Sequence, residues 1–399
     1  MTKPKLVIVV TVSPTLSFYR GQLDYLREKG YEITIVSSGG KELEQFGHEH
    51  AVQEITMTRG VSILKDLIAV VKMTRLFLGL KPDIVHGSTP KAGLLSILAA
   101  TMARVPLRFY TVRGLPAETL SGFSRLFLLM LEHLTCFFAT RIIVNSQSLL
   151  EVIKKENLCQ AEKMKVIHKG SSNGVDATNR FNPTNVIDET LVRLKTELGI
   201  GENKKIIGFV GRLATDKGLC ELAQAWKIIR SRDELAYLLI VGSADERDPA
   251  SEAIAGDLVN DHRVILCGEV DNSLMPLYYS VMDILVLPTY REGFPNVALE
   301  ASAMELPVVA TKVTGCVDAV VHGVTGTLVA LKDCLALADS IITYLENPEL
   351  RRKHGRAGRV RALKEFCPRD IWEAICQEYR SHLDDEIVPN SEYEINLPR

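Results

Sequence analysis

The sequence lacks the short motifs that identify the commonest nucleotide-binding enzymes. It contains no Gly-x-Gly-x-x-Gly, which argues against a dinucleotide-dependent dehydrogenase, and no Gly-x4-Gly-Lys-Ser/Thr, which argues against a P-loop NTPase. It also contains no Asp-x-Asp, the usual acidic clamp for a metal-bound nucleotide diphosphate. A diphosphate bound by this chain would therefore have to be neutralised by side-chain cations.

The cysteines and the apolar runs exclude further classes of protein. The eight cysteines lie at least nine residues apart, which rules out Cys-x2-Cys zinc pairs and is unlike a disulfide-dense secreted module. We therefore expect reduced thiols in a cytoplasm. No uncharged apolar run reaches the roughly 18 residues of a membrane span, since the nearest candidate, "LFLLMLEHLTCFFA", contains Glu132 and His133. The formal net charge of -2 gives no global signal for nucleic acid.

Length and composition indicate two globular domains. The chain has 399 residues, 46% of them apolar and 24% charged, so it is too long for one ordinary core and too apolar for disorder. The N-terminal "MTKPKLVIVVTVSP" has an apolar run only as long as a short signal peptide, and a charged helical pattern follows at once. We interpret it as a first strand.

Short β-branched runs alternate with helical patterns along both halves, which predicts parallel sheets covered on both faces. The first series runs from "KLVIVVTV" to "MKVIHKG" and the second from "KKIIGFVGRL" to "GTLVAL". We predict an α/β protein with two doubly wound, Rossmann-like domains. The predicted first domain covers 1–180, a linker and polar helix 181–203, and the second domain 204–370. A C-terminal helix within 371–399 is expected to cross back to the first domain and to end in a frayed tail.

Two cations follow the first strand of the second half. In "GRLATDKG", Arg212 and Lys217 flank a short loop before a helix that begins at Leu219. Ligands of doubly wound sheets bind at the carboxyl ends of strands, where an Arg fork and a Lys ammonium beside a helix N-terminus hold phosphate oxygens. The alternative is two solvated surface cations, which are common near strand ends.

The stretch "TYREGFPNVALEASA" places Glu292 and Glu300 eight positions apart across a loop-to-helix junction. Pro295 suits the first helical position, so the N–H groups of residues 293–296 are expected to point into the cleft. A fully helical interval would span about 12 Å, wider than the roughly 5 to 9.5 Å between the carboxylates of a glycosidase. We infer that the glutamates contact different parts of one extended ligand that carries vicinal hydroxyls. The alternative is a helix-dipole charge at Glu292 and a surface ion pair at Glu300.

These motifs, together with "LPVVATKVTGCVDAVVHGVTGTLV", resemble the retaining glycosyltransferases of family 4, and the likeness covers nearly the whole chain. The resemblance implies the GT-B fold, in which two such domains face a central cleft. In the first half, "VHGSTPKAGLL", "FYTVRGLP" and "IHKGSSNGVD" are similar to capsule and O-antigen transferases, which extend glycans on a polyprenyl diphosphate.

The resemblance implies roles for individual residues. Arg212 and Lys217 would bind the donor diphosphate and stabilise the leaving charge, Glu292 would contact the donor sugar, and Glu300 would hold the ribose hydroxyls. The backbone of Glu269 and Val270 would edge the base, with uracil favoured over guanine. The other positions implied at the donor are Gly211, Gly293, Phe294, Pro295, Asn296 and Arg113. On the acceptor side, a loop over Ser13, Thr15, Phe18 and Arg20 would close over the diphosphate, and His86 is a further candidate in a loop after a strand.

The sequence departs from the family pattern at two places. The first loop, "SPTLSFYRG", carries bulkier residues than the Gly-rich loop of many members. Arg113 stands where many members have a histidine that faces the donor sugar. Arg113 is always protonated and cannot act as a general base; it is either an anion-binding residue, for phosphate or a carboxylate-bearing sugar, or a packed structural arginine. For His86 the alternative is a loop histidine whose nitrogens are satisfied by the protein.

The resemblance implies a retaining transfer without metal or other cofactor, from a nucleotide sugar to a lipid-linked saccharide. Because the sequence offers no convincing enzymatic nucleophile, we expect a front-face reaction in which the departing diphosphate helps to take the acceptor proton. Apolar runs with cations, "LKDLIAVVKMTRLFLGLK" and "SGFSRLFLLMLEHLTCFFATR", indicate either peripheral contact with anionic lipid at the inner face of a bacterial plasma membrane or helices that cover a sheet. The alternative functions are a nucleotide-sugar epimerase of the same architecture and a non-catalytic nucleotide-sugar sensor.

Overall fold

The first domain of the computed structural model is a seven-stranded parallel sheet with helices on both faces. The structure describes residues 3–58, 60, 62–245 and 248–387. The sheet has the order β3-β2-β1-β4-β5-β6-β7. Its strands are β1 (Lys5–Val10), β2 (Glu32–Ser37), β3 (Ala51–Glu54), β4 (Ile84–Ser88), β5 (Leu107–Val112), β6 (Arg141–Val144) and β7 (Met164–Val166). Its helices are α1 (Gln22–Glu28), α2 (Lys41–Phe46), α3 (Ile63–Leu80), α4 (Pro90–Met102), α5 (Gly122–Phe138) and α6 (Gln147–Lys155).

The second domain repeats this plan with six parallel strands in the order β10-β9-β8-β11-β12-β13. Its strands are β8 (Lys205–Val210), β9 (Ala236–Val241), β10 (Val264–Leu266), β11 (Ile284–Leu287), β12 (Val308–Thr311) and β13 (Gly326–Val329). Its helices are α7 (Asp188–Glu197), α8 (Leu219–Arg232), α9 (Pro249–Val259), α10 (Met275–Val281), α11 (Asn296–Ala303), α12 (Cys316–Ala319), α13 (Cys334–Glu346) and α14 (Pro348–Glu365). The two parallel sheets confirm the predicted pair of doubly wound domains.

Buried β-branched and aliphatic residues explain why these strands lie inside. Strands β4 and β11 are buried along their whole length, because helices cover both faces of a parallel sheet and leave no polar side. Helices α3 to α6 pack on one face of the first sheet, and α1 and α2 pack on the other. None of the helices in the described parts of the chain is long and apolar enough to cross a membrane.

A last helix, α15 (Pro368–Ile387), returns to the first domain. Ile371, Ile375 and Tyr379 on α15 belong to the same buried cluster as strands β1 and β2. The Tyr379 hydroxyl lies 2.5 Å from His86 Nδ1, within the first sheet. The chain therefore crosses between the domains twice, once before α7 and once before α15.

The strand order locates the candidate site. In both sheets the order reverses beside the first strand of the domain, between β1 and β4 and between β8 and β11. The loops that leave the carboxyl ends of the strands on either side of such a reversal diverge and open a crevice. The loops after β8 and β11 carry Arg212, Lys217 and Glu292, so these three predicted site residues lie at the switch point of the second domain.

Candidate active site

Lys217 and Glu292 form an ion pair at the centre of this crevice. Lys217 Nζ donates to Glu292 Oε1 over 2.5 Å, and both side chains are largely buried. Lys217 is placed by a short 3-10 turn after β8, and the Glu292 N–H donates to the Thr314 carbonyl over 3.1 Å. The structure therefore brings together the cation and the carboxylate that lie 75 positions apart in the chain.

Arg212 is held beside the same crevice by two carboxylates. Its guanidinium donates to Asp245 and lies 3.4 Å from Asp216. Gly211, the residue before it, adopts a φ of 150°. It lies against Gly242, and a Cβ on Gly242 would come within 1.9 Å of the Gly211 carbonyl oxygen. Arg212 is thus a paired cation rather than the freely solvated one of the alternative interpretation.

The loop after Glu292 contacts the first domain. A Cβ on Gly293 would lie 1.8 Å from the Arg113 carbonyl oxygen, so only glycine fits where the domains meet. Phe294 is buried, and its ring centroid lies 5.4 Å from that of Phe366. Phe294 is therefore a packing residue of the domain interior.

The helix after this loop begins one residue later than predicted. Helix α11 starts at Asn296, and Pro295 occupies the N-cap with a ψ of 101°, so the expectation that Pro295 is the first helical residue is wrong. Ser171, in the segment after β7, donates to Asn296 Oδ1 over 3.5 Å. The N-terminus of α11 therefore faces the first domain across the cleft.

Glu300 lies on α11 in a largely apolar setting. The Tyr279 hydroxyl donates to Glu300 Oε2 over 2.8 Å. Burial raises the pKa of Glu300 to about 7, against the opposing effects of the Tyr279 hydrogen bond and the nearby Arg180 guanidinium. A ligand that donates hydrogen bonds to the Glu300 carboxylate would therefore stabilise its ionised form strongly.

Glu269 and Val270 lie after β10, at the outer end of the crevice. Glu269 is exposed, and Val270 is half-buried against the core of the second domain. The Gly242 N–H donates to the Gly268 carbonyl over 2.7 Å, which joins this segment to the loop after β9. The position is compatible with a backbone edge offered to a flat ring, and its role stays a prediction.

The predicted acceptor loop is a 3-10 helix, Ser13–Tyr19, rather than an open loop. Ser13 is buried, and its hydroxyl donates to Glu42 Oε2 over 2.7 Å. Thr15 and Phe18 are half-buried and Arg20 is exposed. Ser13 therefore fixes this segment to α2, and Phe18 lies against Arg113. The acceptor-side roles of Thr15 and Arg20 stay predictions.

Arg113 follows β5 on the same side of the cleft. Its Nε donates to Ser88 Oγ over 2.5 Å, and its Nη1 donates to Ser172 Oγ. Its Cζ lies 4.9 Å from the centroid of the Phe18 ring and 5.4 Å from that of Tyr19. The guanidinium is therefore held among two hydroxyls and two aromatic rings.

His86 is not in a cleft loop, and that expectation is wrong. It lies within β4, is buried, and has Tyr379 and Thr111 hydroxyls 2.5 and 2.6 Å from its two ring nitrogens. Burial, with a smaller effect from Arg113, lowers the pKa of His86 to about 3. The alternative of a satisfied, neutral histidine therefore describes it, although on a strand.

The two domains also meet through a cluster of hydrogen bonds behind the Glu292 loop. Asp318 accepts from the backbone N–H groups of Gln147 and Ser148, over 3.1 and 3.2 Å, and from the Ser148 hydroxyl. The Gly315 N–H donates to Ser148 Oγ over 2.8 Å. A carboxylate of the second domain thus caps the N-terminus of α6 in the first.

Comparison with known proteins identifies the family. Residues 20–177 match the family model described as Glycosyltransferase Family 4, and residues 204–347 match the one described as Glycosyl transferases group 1. The Staphylococcus aureus protein "Capsular polysaccharide biosynthesis glycosyltransferase CapM" is 38% identical over 385 residues, 96% of this chain and 99% of that protein. The chain belongs to the family 4 glycosyltransferases.

One further relative is also named as a glycosyltransferase, and one solved structure shows the same fold. The Escherichia coli "UDP-Gal:alpha-D-GlcNAc-diphosphoundecaprenol alpha-1,3-galactosyltransferase" is 28% identical over 298 residues, 74% of this chain and 74% of that protein. The crystal structure of Anabaena Alr3699/HepE in complex with UDP and glucose superposes with a TM-score of 0.79 at 21% identity, covering 96% of this chain and all of that one. The GT-B fold implied by the sequence resemblance is confirmed.

Sequence reasoning missed two residues of this glycosyltransferase that lie beside the predicted site. Arg180 donates to Asn272 Oδ1 over 2.8 Å and lies near Glu300, although the sequence placed it at the boundary of a linker. Tyr279 is a hydrogen-bond partner of Glu300 rather than only a core aromatic residue. A polar group on an otherwise apolar helix face was the only available signal for Tyr279.

Proposed function

We propose that this glycosyltransferase moves a sugar from a UDP-linked donor to a saccharide on a polyprenyl diphosphate, with retention of the anomeric configuration and without a metal ion. The observation that carries the proposal is the grouping of Lys217, Glu292 and Arg212 at the switch point, with Glu300 farther along α11. The Escherichia coli relative supports the donor and acceptor classes, because its name gives a UDP-sugar and a diphosphoundecaprenol-linked saccharide.

Donor binding exchanges the ion-pair partners of both cations. Lys217 is paired with Glu292, and Arg212 with Asp245 and Asp216. Donor phosphate oxygens compete for the two cations, while sugar hydroxyls donate to the Glu292 carboxylate. Two positive charges then face the diphosphate, which is the charge that a divalent metal ion supplies in other transferases.

Retention follows from a front-face reaction. The bond from the anomeric carbon to the phosphate oxygen breaks, and the acceptor oxygen forms its bond on the same face. The acceptor proton passes to an oxygen of the departing diphosphate, so no enzymatic base is required. Lys217 and Arg212 stabilise the charge that develops on the diphosphate, and Glu292 positions the sugar.

The acceptor lipid requires a surface that meets a bilayer, and α3 and α5 offer one on the first domain. Phe123 and Phe137 on α5 are 82% and 65% exposed. The other exposed apolar side chains of the two helices are Ile63, Leu64, Leu67, Ile68, Val71, Leu78, Leu126, Met130 and Leu134. Both helices pack against α4, so the two apolar faces lie on the same side of the sheet. We define these side chains as the apolar face of the first domain.

Charge on this face favours an anionic bilayer. Lys65, Lys72 and Arg75 on α3 are exposed, whereas Asp66 is paired with Lys91 over 2.7 Å. Exposed apolar side chains flanked by exposed cations bind the boundary of anionic lipid headgroups and acyl chains. We therefore place the enzyme at the inner face of a bacterial plasma membrane, with this face towards the lipid.

Membrane contact is tested by co-sedimentation with phosphatidylglycerol vesicles and with neutral phosphatidylcholine vesicles. We expect binding to the anionic vesicles, weakened by Phe123→Ser with Leu126→Ser on α5. Val360→Ser with Leu363→Ser removes two exposed apolar side chains from α14 of the second domain and is the matched control. Equal binding by both double variants would contradict the assignment of this face.

The transfer reaction is tested with a panel of UDP-sugars and a synthetic polyprenyl-diphosphate saccharide, with and without EDTA. We expect an acceptor-dependent product whose anomeric configuration, read by NMR, matches that of the donor, at a rate that EDTA leaves unchanged. Loss of activity in EDTA with recovery on adding magnesium would contradict the metal-independent mechanism. An inverted product would contradict the front-face reaction.

A further inference from the structure

Arg113 is a positively charged side chain whose direct contacts, in the part of the chain that the structure describes, are all with uncharged groups. It is half-buried, and its contacts are the Ser88 and Ser172 hydroxyls and the rings of Phe18 and Tyr19. Among the residues that the structure describes, no carboxylate pairs with it. Since a guanidinium is always protonated, its charge has lost part of its hydration without gaining a counter-ion.

The position of Arg113 makes that charge accessible to a substrate. The Arg113 carbonyl oxygen is the atom that a Cβ on Gly293 would meet at 1.8 Å, so Arg113 lies directly across the cleft from the Glu292 loop. Ser88 and Ser172 engage Nε and Nη1, and Nη2 has no hydrogen-bond partner in the described part of the chain. One edge of the guanidinium is therefore left for a ligand held beside Glu292.

A buried polar residue, Asn145, neighbours Arg113 in the sheet. Asn145 follows β6, the strand next to β5, and its N–H donates to the Val112 carbonyl, one residue before Arg113. Asn145 is buried, and its Oδ1 has no partner among the described residues. That oxygen is fully enclosed, so it gives no contact with a ligand in the cleft. The choice of anion rests instead on Lys217 and Arg212, which are the cations proposed for the diphosphate and leave Arg113 for an anion carried by the sugar.

We propose that Arg113 recognises the carboxylate of an acidic sugar, so that the preferred donor is a nucleotide-linked uronic acid. The inference rests on the proposed transferase function and specifies its donor. A planar guanidinium matches a carboxylate with two parallel hydrogen bonds, through Nη2 and the second hydrogen of Nη1. The two serines fix the plane of the fork, which lowers the entropic cost of forming the pair.

The test compares two pairs of donors, each a hexose and its uronate, and the members of a pair differ only at C6. Dissociation constants are measured by calorimetry for UDP, UDP-glucose, UDP-glucuronate, UDP-galactose and UDP-galacturonate, on wild type, Arg113→Gln and Arg113→Lys. The control is Arg141→Gln. Arg141 begins β6, at the opposite end of the strands from Arg113, and its Nε donates to His382 Nε2 over 2.7 Å.

We expect wild type to bind one uronate about tenfold to hundredfold more tightly than its hexose, the range given by one charge-assisted pair. Arg113→Gln should abolish that preference and leave the affinity for UDP unchanged. Arg113→Lys should keep only part of the uronate preference, and Arg141→Gln should keep all of it.

Equal binding of uronates and hexoses by wild type overturns the proposal. A parallel loss of UDP affinity in Arg113→Gln also overturns it, because the guanidinium would then contact the donor phosphate. If wild type binds no UDP at all, the proposed function itself fails.

Thermal unfolding separates recognition from a structural role. If Arg113 has only a structural role, its removal lowers the melting temperature. The protein that remains folded then keeps its preference for the uronate donor. If Arg113 is the recognition residue, Arg113→Gln melts at or above the wild-type temperature without ligand, since an uncompensated charge has been removed. A lower melting temperature together with an unchanged uronate preference overturns the assignment.

Discussion

Replacing Glu300 by glutamine should make the protein more stable and its nucleotide binding weaker. Burial raises the pKa of this carboxyl from 4.5 to about 7 in the folded protein. The folded state then holds a proton that the unfolded state releases, so folding becomes less favourable as the pH rises from about 4.5 to about 7. The difference corresponds to about 3 kcal/mol, at about 1.4 kcal/mol for each pH unit.

Glutamine has nearly the same shape as glutamic acid and never ionises. It can still accept the hydrogen bond that Tyr279 donates to Glu300 Oε2. We therefore expect Glu300→Gln to unfold at higher urea at pH 8, by up to about 3 kcal/mol in unfolding free energy, and to match wild type at pH 4.5. The assay is urea denaturation at a series of pH values, with Glu346→Gln, at an exposed site of the same domain, as the control.

Nucleotide binding should change in the opposite direction. Ribose hydroxyls donate more strongly to a carboxylate than to an amide oxygen, so UDP should stabilise wild type and stabilise Glu300→Gln much less. For wild type, the affinity for UDP should rise as the pH passes about 7, because the ionised form of Glu300 is the binding form. A stability gain of the same size at pH 4.5 and pH 8 would refute the reasoning, since it would show that the gain is independent of ionisation.

Three further changes test the geometry of the cleft. Lys217→Met removes the partner of Glu292 and a cation that faces the leaving group, so kcat should fall by about a hundredfold or more, measured at saturating donor. Gly293→Ala places a Cβ 1.8 Å from the Arg113 carbonyl oxygen, so the domains should separate, which small-angle scattering would record as a larger radius of gyration. Asp318→Asn weakens the capping of α6 across the domains, and should lower kcat while leaving the UDP dissociation constant within about twofold. Unchanged kcat in the first or third variant, or an unchanged radius in the second, would count against the corresponding contact.

Periodicity predicted the buried strands better than the exposed ones. All six strands of the second sheet were predicted, because each contains an apolar run that ends in a loop. Strand β3 was missed, since Ala51–Glu54 is short, mostly exposed and without an apolar pattern at the edge of the first sheet. Such a strand forms because β2 offers its unpaired edge, which is information that the segment itself does not contain.

The sequence predicted where the candidate site residues lie, but not which side chains they contact. Arg212, Lys217 and Glu292 could be assigned to the carboxyl ends of strands because each follows an apolar run in the chain, whereas the strand order that puts both loops at the switch point is seen only in the structure. The carboxylate partners of Arg212 and the hydroxyl partner of Glu300 could not, because packing between helices and loops decides which side chains meet. His86 illustrates the same limit, since its role depends on Tyr379, 293 positions later.

The Glu292 loop belongs energetically to both domains. The Glu292 N–H donates to the Thr314 carbonyl, and the Thr314 hydroxyl donates to Glu118 Oε2 in the first domain over 2.5 Å. Opening the cleft would break the bond to Glu118 and remove the contact of Gly293 with Arg113, so the loop would lose its support on one side. A donor that binds Glu292 in its observed position must then also stabilise the closed arrangement of the domains. Because the apparent affinity scales with the closed fraction, mutations at the domain contact should alter binding of the complete donor, whose sugar reaches Glu292, more than binding of UDP, which lacks the sugar.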